Sequence, residues 1–364
     1  MIKKKQRVIV GMSGGVDSSV AALLLKQQGF DVIGVMLKLW AEEGFNRENQ
    51  CCSIEAANQA HRIATKIDIP FYLLDAVEPF YKAVVQPFIS SYLSGETPNP
   101  CAWCNPLVRW KQLLLYADAM NADYVATGHY VRTIKDAEGF VHLFRGTDSQ
   151  KDQSYVISRL SQDQLQRSIF PVGDYFKPQV RKISAEYHLP YSEKPESQDI
   201  CFIGDGNYRR FLKQMQPQRI SSGKFIDSEG KEIGQHDGIP FYTIGQRKGL
   251  KISAKNPLYV IEKDVIRNEI VLGQKEDLRV KKVVAGDINW ICNEQTVDSF
   301  DCFAQFRYKS KAVPVSVRIT EEKKMIISLK DDFFDGVACG QIAVLYDTEG
   351  EVIGSGRILK TERK

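Results

Sequence analysis

The stretch Arg7-Val8-Ile9-Val10-Gly11-Met12-Ser13-Gly14-Gly15-Val16-Asp17-Ser18-Ser19 holds a short apolar strand, a glycine turn and the start of a helix. Beyond it, apolar residues at helical spacing (Val20, Leu23, Leu24) continue to Gly29, where the helix should stop. The same alternation repeats downstream. Strands are expected at Asp31 to Leu39, Phe71 to Leu74 and Tyr124 to Thr127, and helices at Ile54 to Ile67, Pro79 to Leu93 and Val108 to Met120. Strand–helix alternation of this kind predicts an α/β fold, a Rossmann-like parallel sheet with helices on both faces.

The turn itself predicts an anion site. Two adjacent glycines let the backbone bring its N–H groups against a phosphate, and the helix start behind them adds a favourable dipole. Gly11, Met12, Ser13, Gly14, Gly15, Val16, Asp17 and Ser18 are therefore candidate phosphate-binding residues, with hydroxyls from Ser13 and Ser18. Asp17 is the candidate to hold a magnesium ion through water. No Gly-Lys-Ser/Thr follows, so this is not a Walker A loop, and the spacing is not that of a dinucleotide fingerprint.

After about residue 208 the pattern changes to strands separated by turn signals such as His236-Asp237-Gly238 and Asp347-Thr348-Glu349-Gly350. Val280 to Ala285, Ala304 to Tyr308, Val313 to Ile319, Met325 to Leu329 and Ile342 to Tyr346 are spaced as in a small barrel or sandwich. The expected division is a catalytic domain over 1–208, a central domain over 209–277 and a β-barrel-like domain over 278–364. The 43% apolar and 26% charged composition excludes wholesale disorder. No apolar run reaches the roughly 18 residues of a membrane span, and the basic start Met1 to Lys5 leads into no signal-peptide core. The net charge of +4 is too small to announce a nucleic-acid partner, but it is unevenly placed: residues 209–277 hold 13 basic and 9 acidic groups.

Eight cysteines remain: Cys51, Cys52, Cys101, Cys104, Cys201, Cys292, Cys302 and Cys339. A chain this long builds its own core, so thiols with metal, redox or catalytic roles are favoured over disulfides. Thr97-Pro98-Asn99-Pro100-Cys101-Ala102-Trp103-Cys104 puts two thiols three apart in a turn-rich loop leading into a helix, where thiolates are stabilised. Cys201 follows in a second polar segment. A structural zinc site needs four ligands, which Cys101 and Cys104 alone do not supply; the Cys51-Cys52 pair is the candidate for the rest. Cys292, Cys302 and Cys339 stand in strand-like apolar context and read as small buried hydrophobes.

Taken together, the Ser13–Ser18 loop, Cys51-Cys52-Ser53, Thr97 to Pro100, Ala126 to Tyr130, Lys151-Asp152-Gln153-Ser154-Tyr155, Ser197 to Phe202 and Tyr242 to Leu250 resemble the tRNA-specific 2-thiouridylases, PP-loop ATP pyrophosphatases of bacteria. The resemblance implies an ATP-dependent sulfurtransferase that thiolates the wobble uridine of tRNA-Lys, tRNA-Glu and tRNA-Gln. It implies Cys104 as nucleophile and Cys201 as persulfide carrier, closing the cycle as a disulfide, with Cys101 as acid, base or cluster ligand. Leu37 and Gly128 would hold adenosine. Asn99, Pro100 and Cys101 would face the flipped base, and His129, Lys151, Asp152, Gln153, Arg307, Tyr308 and Gln341 would touch tRNA. ATP and magnesium are the implied cofactors, and a desulfurase or sulfur-relay protein the donor. Some members carry Asp where this chain has Cys101, so an iron–sulfur (4Fe-4S) cluster on Cys101, Cys104 and Cys201 is a second expectation. A cytoplasmic monomer without membrane contact is also expected. The competing classes are another PP-loop synthetase acting on a small molecule, and a non-catalytic nucleotide or RNA-binding module.

Overall fold

The computed structural model of the chain describes residues 5–42, 54–190, 200–292, 298–330 and 333–363. Cys51, Cys52 and Ser197 to Asp199 lie outside the described residues. The chain divides into two compact units. The first holds residues 1–84, 101–206 and 350–352; the second holds 85–100, 207–349 and 353–364.

The first unit is built on parallel strands β1 (Arg7–Gly11), β2 (Asp31–Lys38), β3 (Phe71–Asp75), β4 (Tyr124–Thr127) and β7 (Ser168–Ile169), in the order β3-β2-β1-β4-β7. β1 pairs with β2 on one side (Val10 opposite Gly34) and with β4 on the other (Val10 opposite Ala126). This strand is buried throughout its centre, as its unbroken apolar run requires of a sheet covered on two faces. Val8 and Val10 belong to the core shared with α1 (Val16–Gln27), α2 (Ile54–Lys66) and α9 (Lys177–Glu186). Gly11 meets Leu113 of α6 (Lys111–Ala119), a helix that packs on β1 and β4. A hairpin, β5 (Val131–Lys135) with β6 (Val141–Arg145), stands apart from this sheet.

Two helices depart from their sequence-based bounds. The helix expected from Pro79 begins at Val77 and passes through a π turn (Tyr81–Val85) into α4 (Gln86–Leu93). The helix expected from Val108 begins at α5 (Pro100–Cys104) and reaches α6 through a second π turn, Asn105–Trp110. Pro106 lies in that turn and Pro87 just past the first. A residue that cannot donate an N–H disturbs regular helix pairing. Cys101 and Cys104 therefore sit on a helical turn opened by Pro100, not in a loop.

In the second unit, β8 (Gly223–Ile226), β9 (Glu232–His236), β10 (Tyr259–Asp264) and β11 (Glu269–Gly273) form a four-stranded sheet after α10 (Tyr208–Met215). The remaining strands are β12 (Arg279–Trp290), β13 (Ser299–Gln305), β14 (Val313–Ile319), β15 (Met325–Leu329), β16 (Phe334–Asp335), β17 (Ile342–Tyr346) and β18 (Val352–Arg363). They follow the order β15-β14-β13-β17-β18-β12-β16, and β12 also pairs with β15, which closes a barrel. Closure removes the exposed edges that an open sheet would offer. Its interior includes Val283, Ala304, Phe306, Val315, Ile327 and Leu345, all fully buried.

The strand expected at Ala304 to Tyr308 is displaced to Ser299–Gln305. Arg307 instead opens a turn, in which Ser310 N–H donates to Arg307 C=O at 3.0 Å and Lys309 takes φ +65°. Of the three cysteines expected as buried strand residues, only Cys302 is one, on β13, with its thiol pushed up to about 12 by burial. Cys292 lies past the end of β12 and donates to Ile353 C=O, and Cys339 lies partly exposed before β17.

Candidate active site

The C-terminal ends of β1, β2 and β4 open into a cavity in the first unit. Gly11, Met12, Ser13, Asp17, Ser18, Leu37, Gly128, His129 and Gln153 line it, together with Val35, Met36, Leu39, Arg109, Leu113 and Thr127. Ligands bind at strand C-termini in open α/β sheets because the loops and helix N-termini converge there. Gly14, Gly15 and Val16, expected at the phosphates, do not line the cavity.

The loop is tied down by its own short polar groups. Met12 N–H donates to Val35 C=O at 2.7 Å, and Ser13 N–H to Ser18 Oγ at 3.2 Å. Ser18 Oγ and Ser19 Oγ both donate to Gly15 C=O. Gly14 takes φ +71°, which glycine adopts without strain, whereas Gly15 is extended. No side chain caps α1 at Gly15, so the first turn keeps backbone donors for an anion. Gly128 closes the far side. A Cβ there would lie 2.5 Å from Ser18 N and 2.6 Å from Asp17 C, so only glycine allows β4 to end against the helix start.

Asp17 has a different task from the one expected. Its two carboxylate oxygens accept from Lys177 Nζ at 2.7 and 2.8 Å, and Tyr130 OH donates to it at 2.7 Å. The Lys177 side chain is 9% exposed and that of Asp17 30%, so the ion pair is buried on its lysine side, opens to the cavity on its carboxylate side and ties the helix start to α9. Sequence reasoning missed both partners; Lys177 lies 160 residues away and no local signal marks it.

His129 is buried and its Nδ1 lies 2.8 Å from Thr127 Oγ1. Burial, with the Arg109 charge second, lowers its pKa to about 3, so the ring is neutral near pH 7. Gln153 and Tyr130 are joined reciprocally, Tyr130 N–H to Gln153 Oε1 and Gln153 N–H to Tyr130 C=O. Asp152 is engaged inside its own loop, where it accepts from Arg145, Gly146 N–H and both donors of Ser154. Lys151 is partly buried beside it, its N–H donating to Asp148 C=O.

The thiols of the first unit are placed by their neighbours. Ala102 is fully buried, Asn105 Nδ2 donates to Val156 C=O at 2.8 Å, and Arg159 lies 4.4 Å over the Trp103 ring. These contacts hold the turn on which Cys104 is buried and Cys101 exposed. Cys201 is partly exposed and precedes Phe202, whose buried ring packs on Trp40 and Phe80 and whose C=O accepts from Glu42 N–H. None of the described cysteines forms a disulfide. Among the described residues no three Cys, His, Asp or Glu side chains gather where a metal ion could sit. The expected three-thiolate cluster therefore does not fit this arrangement.

Asn99, Pro100, Arg307, Tyr308 and Gln341 belong to the second unit. Tyr308 is exposed beside Lys309, and Arg307 lies over the Phe334 ring. Gln341 Nε2 donates to Thr97 C=O at 2.7 Å.

A Ser-Gly-Gly-Val-Asp-Ser loop between the first strand of a parallel sheet and its following helix, with no Walker A lysine, marks the PP-loop class of nucleotide-using enzymes. Three family models tile the chain: a tRNA methyl transferase HUP domain over residues 6–205, a tRNA methyl transferase PRC-barrel domain over 209–274 and an aminomethyltransferase beta-barrel domain over 280–358. The tRNA-specific 2-thiouridylase MnmA of Natranaerobius thermophilus is 43% identical over 364 residues, 98% of each chain. Those of Carboxydothermus hydrogenoformans and Clostridioides difficile are each 42% identical, again over 98% of both chains. The chain belongs to the tRNA-specific 2-thiouridylases, a family of sulfurtransferases. None of its described helices is long and apolar enough to cross a membrane.

Proposed function

We propose that the chain uses ATP to convert the wobble uridine of tRNA-Lys, tRNA-Glu and tRNA-Gln to 2-thiouridine, releasing AMP and pyrophosphate. The observation that carries this reading is the Gly11–Ser18 cradle with Gly128 closed over it. It offers backbone donors to a triphosphate without a lysine on the terminal phosphates, which suits cleavage between the α- and β-phosphates. The uridine O2 attacks the α-phosphate, pyrophosphate leaves, and carbon 2 then carries AMP as a good leaving group. Magnesium would arrive with the triphosphate and neutralise its charge, since Asp17 is already paired with Lys177.

Sulfur enters as a persulfide on Cys201, supplied by a desulfurase or relay protein. The Cys104 thiolate attacks the Cys201 sulfur, forming a Cys104–Cys201 disulfide and releasing hydrosulfide. Hydrosulfide displaces AMP, loses its proton and leaves the thiocarbonyl; a thiol reductant supplies two electrons to restore both cysteines. The partial exposure of Cys201 suits loading by a donor, and the burial of Cys104 protects a nucleophile from stray oxidation. The target base must leave the stacked anticodon loop to reach them. His129, neutral and buried in the nucleotide cavity, serves as a hydrogen-bonding wall and not as a cation for RNA phosphates.

The test is mass analysis of tRNA nucleosides after incubation with ATP, magnesium and a persulfide-generating desulfurase. The expected result is 2-thiouridine with the wild-type chain and none with Cys201→Ala or Cys104→Ala. Full activity of Cys201→Ala would overturn the reading. Anaerobic preparation with iron and sulfide analysis separates the routes, because the persulfide route needs neither element as a cluster.

A further inference from the structure

Residues 85–100 lie within the first third of the sequence yet pack with the second unit. Phe88 of α4 meets Phe211 at 6.3 Å, and Tyr92 stacks on Tyr208 at 5.0 Å, so the helix is docked on α10 through aromatic faces. The segment that follows, Glu96 to Pro100, is gripped by the barrel. Thr97 N–H donates to Cys339 C=O at 2.8 Å, and Thr97 C=O accepts from Gln341 Nε2 at 2.7 Å. Glu96 forms an ion pair with Arg357 of β18, both side chains being mostly buried. The gripping residues are themselves welded together, since Gly340 N–H donates to Ile358 C=O and Ile358 N–H to Gln341 C=O. These bonds cross 244 residues for Gln341 and 261 for Arg357.

Thr97 is thus held at both backbone polar groups, and Glu96 at its side chain. Asn99 is two residues further on. A chain fixed this closely has little freedom left at Asn99 and Pro100, the residues that would face the target base. We infer that Glu96, Gln341 and Arg357 are positioning residues, through which the barrel sets the place of the target-base loop and so acts on the chemical step. This rests on the function proposed above. It gives Gln341 an anchoring task, its amide being donated to the protein's own backbone, and it gives the barrel a role other than gripping RNA. Misplacing a reacting group by about 1 Å costs on the order of 100-fold in rate, whereas substrate affinity depends on many other contacts.

The test uses Glu96→Gln and Arg357→Gln in the full chain, the first changing a charge with almost no change of shape. The expected result for each is a fall in thiolation kcat of about 10- to 100-fold, with Kd for tRNA and for ATP within about twofold of wild type. The double variant should be no worse than either single one, because the pair acts as a unit. Arg357→Lys should restore part of the rate. Amide hydrogen exchange at Thr97 and Asn99 should quicken in both variants while the first unit stays protected. Unchanged kcat in both variants overturns the inference, as does a loss of tRNA affinity equal to the loss of kcat/KM, which would mark direct contact. If the wild-type chain makes no 2-thiouridine, the proposed function falls. Exchange at Thr97 then decides the anchoring by itself, and unchanged protection in Arg357→Gln refutes it.

Discussion

The two loops proposed to meet the substrates are held in place by opposite means. The Gly11–Ser18 loop is fixed from within: serine hydroxyls one turn away, a neighbouring strand and the close approach of Gly128 leave its backbone no other path. The Glu96–Pro100 loop has little local scaffolding and is held by side chains and carbonyls some 240 residues downstream. A loop fixed from within fails when its own atoms are crowded. A loop fixed from afar fails when a distant strand is altered.

The sharpest way to break the comparison is Gly128→Ala. The added Cβ would fall 2.5 Å from Ser18 N, so the helix start or β4 must shift. ATP affinity should drop by about 100-fold or more, measured by calorimetry, with tRNA affinity retained. The barrel-held loop should be untouched, and faster amide exchange at Thr97 and Asn99 in this variant would erase the distinction.

A smaller effect is expected at a long-range tie of the first loop, the ion pair of Asp17 with Lys177. Lys177→Met removes the charge partner of a partly exposed carboxylate and should lower unfolding stability by about 1–2 kcal/mol. Asp17→Asn in the same chain should recover part of it, because the amide needs no counter-charge. Urea melts of the singles and the double check this, and additive losses would contradict a paired role.

The smallest effects are pH-dependent and of opposite sign at two histidines of the first unit. His129 has its folded pKa lowered, chiefly by burial, below an unfolded value of about 6.5. Its contribution is complete above that value and is lost as pH falls from there towards 3. His142 has its pKa raised, first by its bond to Glu351 at 2.7 Å, which outweighs desolvation, with a further and smaller contribution from Asp136. Its contribution is complete below about pH 6.5 and fades as pH rises through its folded value. Histidine proton shifts followed by NMR should show His142 titrating above free histidine and His129 silent down to pH 5.

How much of this could be read beforehand follows the same division. The phosphate loop was legible because its chemistry is contiguous: strand, glycines, hydroxyls and helix start fall within a dozen residues and obey local rules. The parallel sheet and most barrel strands were legible from apolar periodicity, with Val313–Ile319, Met325–Leu329 and Ile342–Tyr346 falling at their expected bounds. Arg307 and Tyr308 misled because their apolar neighbours mimic a strand, while Lys309 in the left-handed region turns the chain away. Pro98 and Pro100 read as loop, although a proline is also well suited to the first position of a helix, where its missing N–H costs nothing.

The amino-acid sequence alone determined the fold class, the glycine turn between β1 and α1 and the family, since each depends on neighbours in the chain or on motifs in fixed order. Only the tertiary structure decided that Asp17 is paired with Lys177, that His129 is buried neutral, and that Thr97 is anchored by the barrel. Charge state and loop position depend on which distant groups exclude water or offer a partner, and spacing along a chain carries no record of those distances in space.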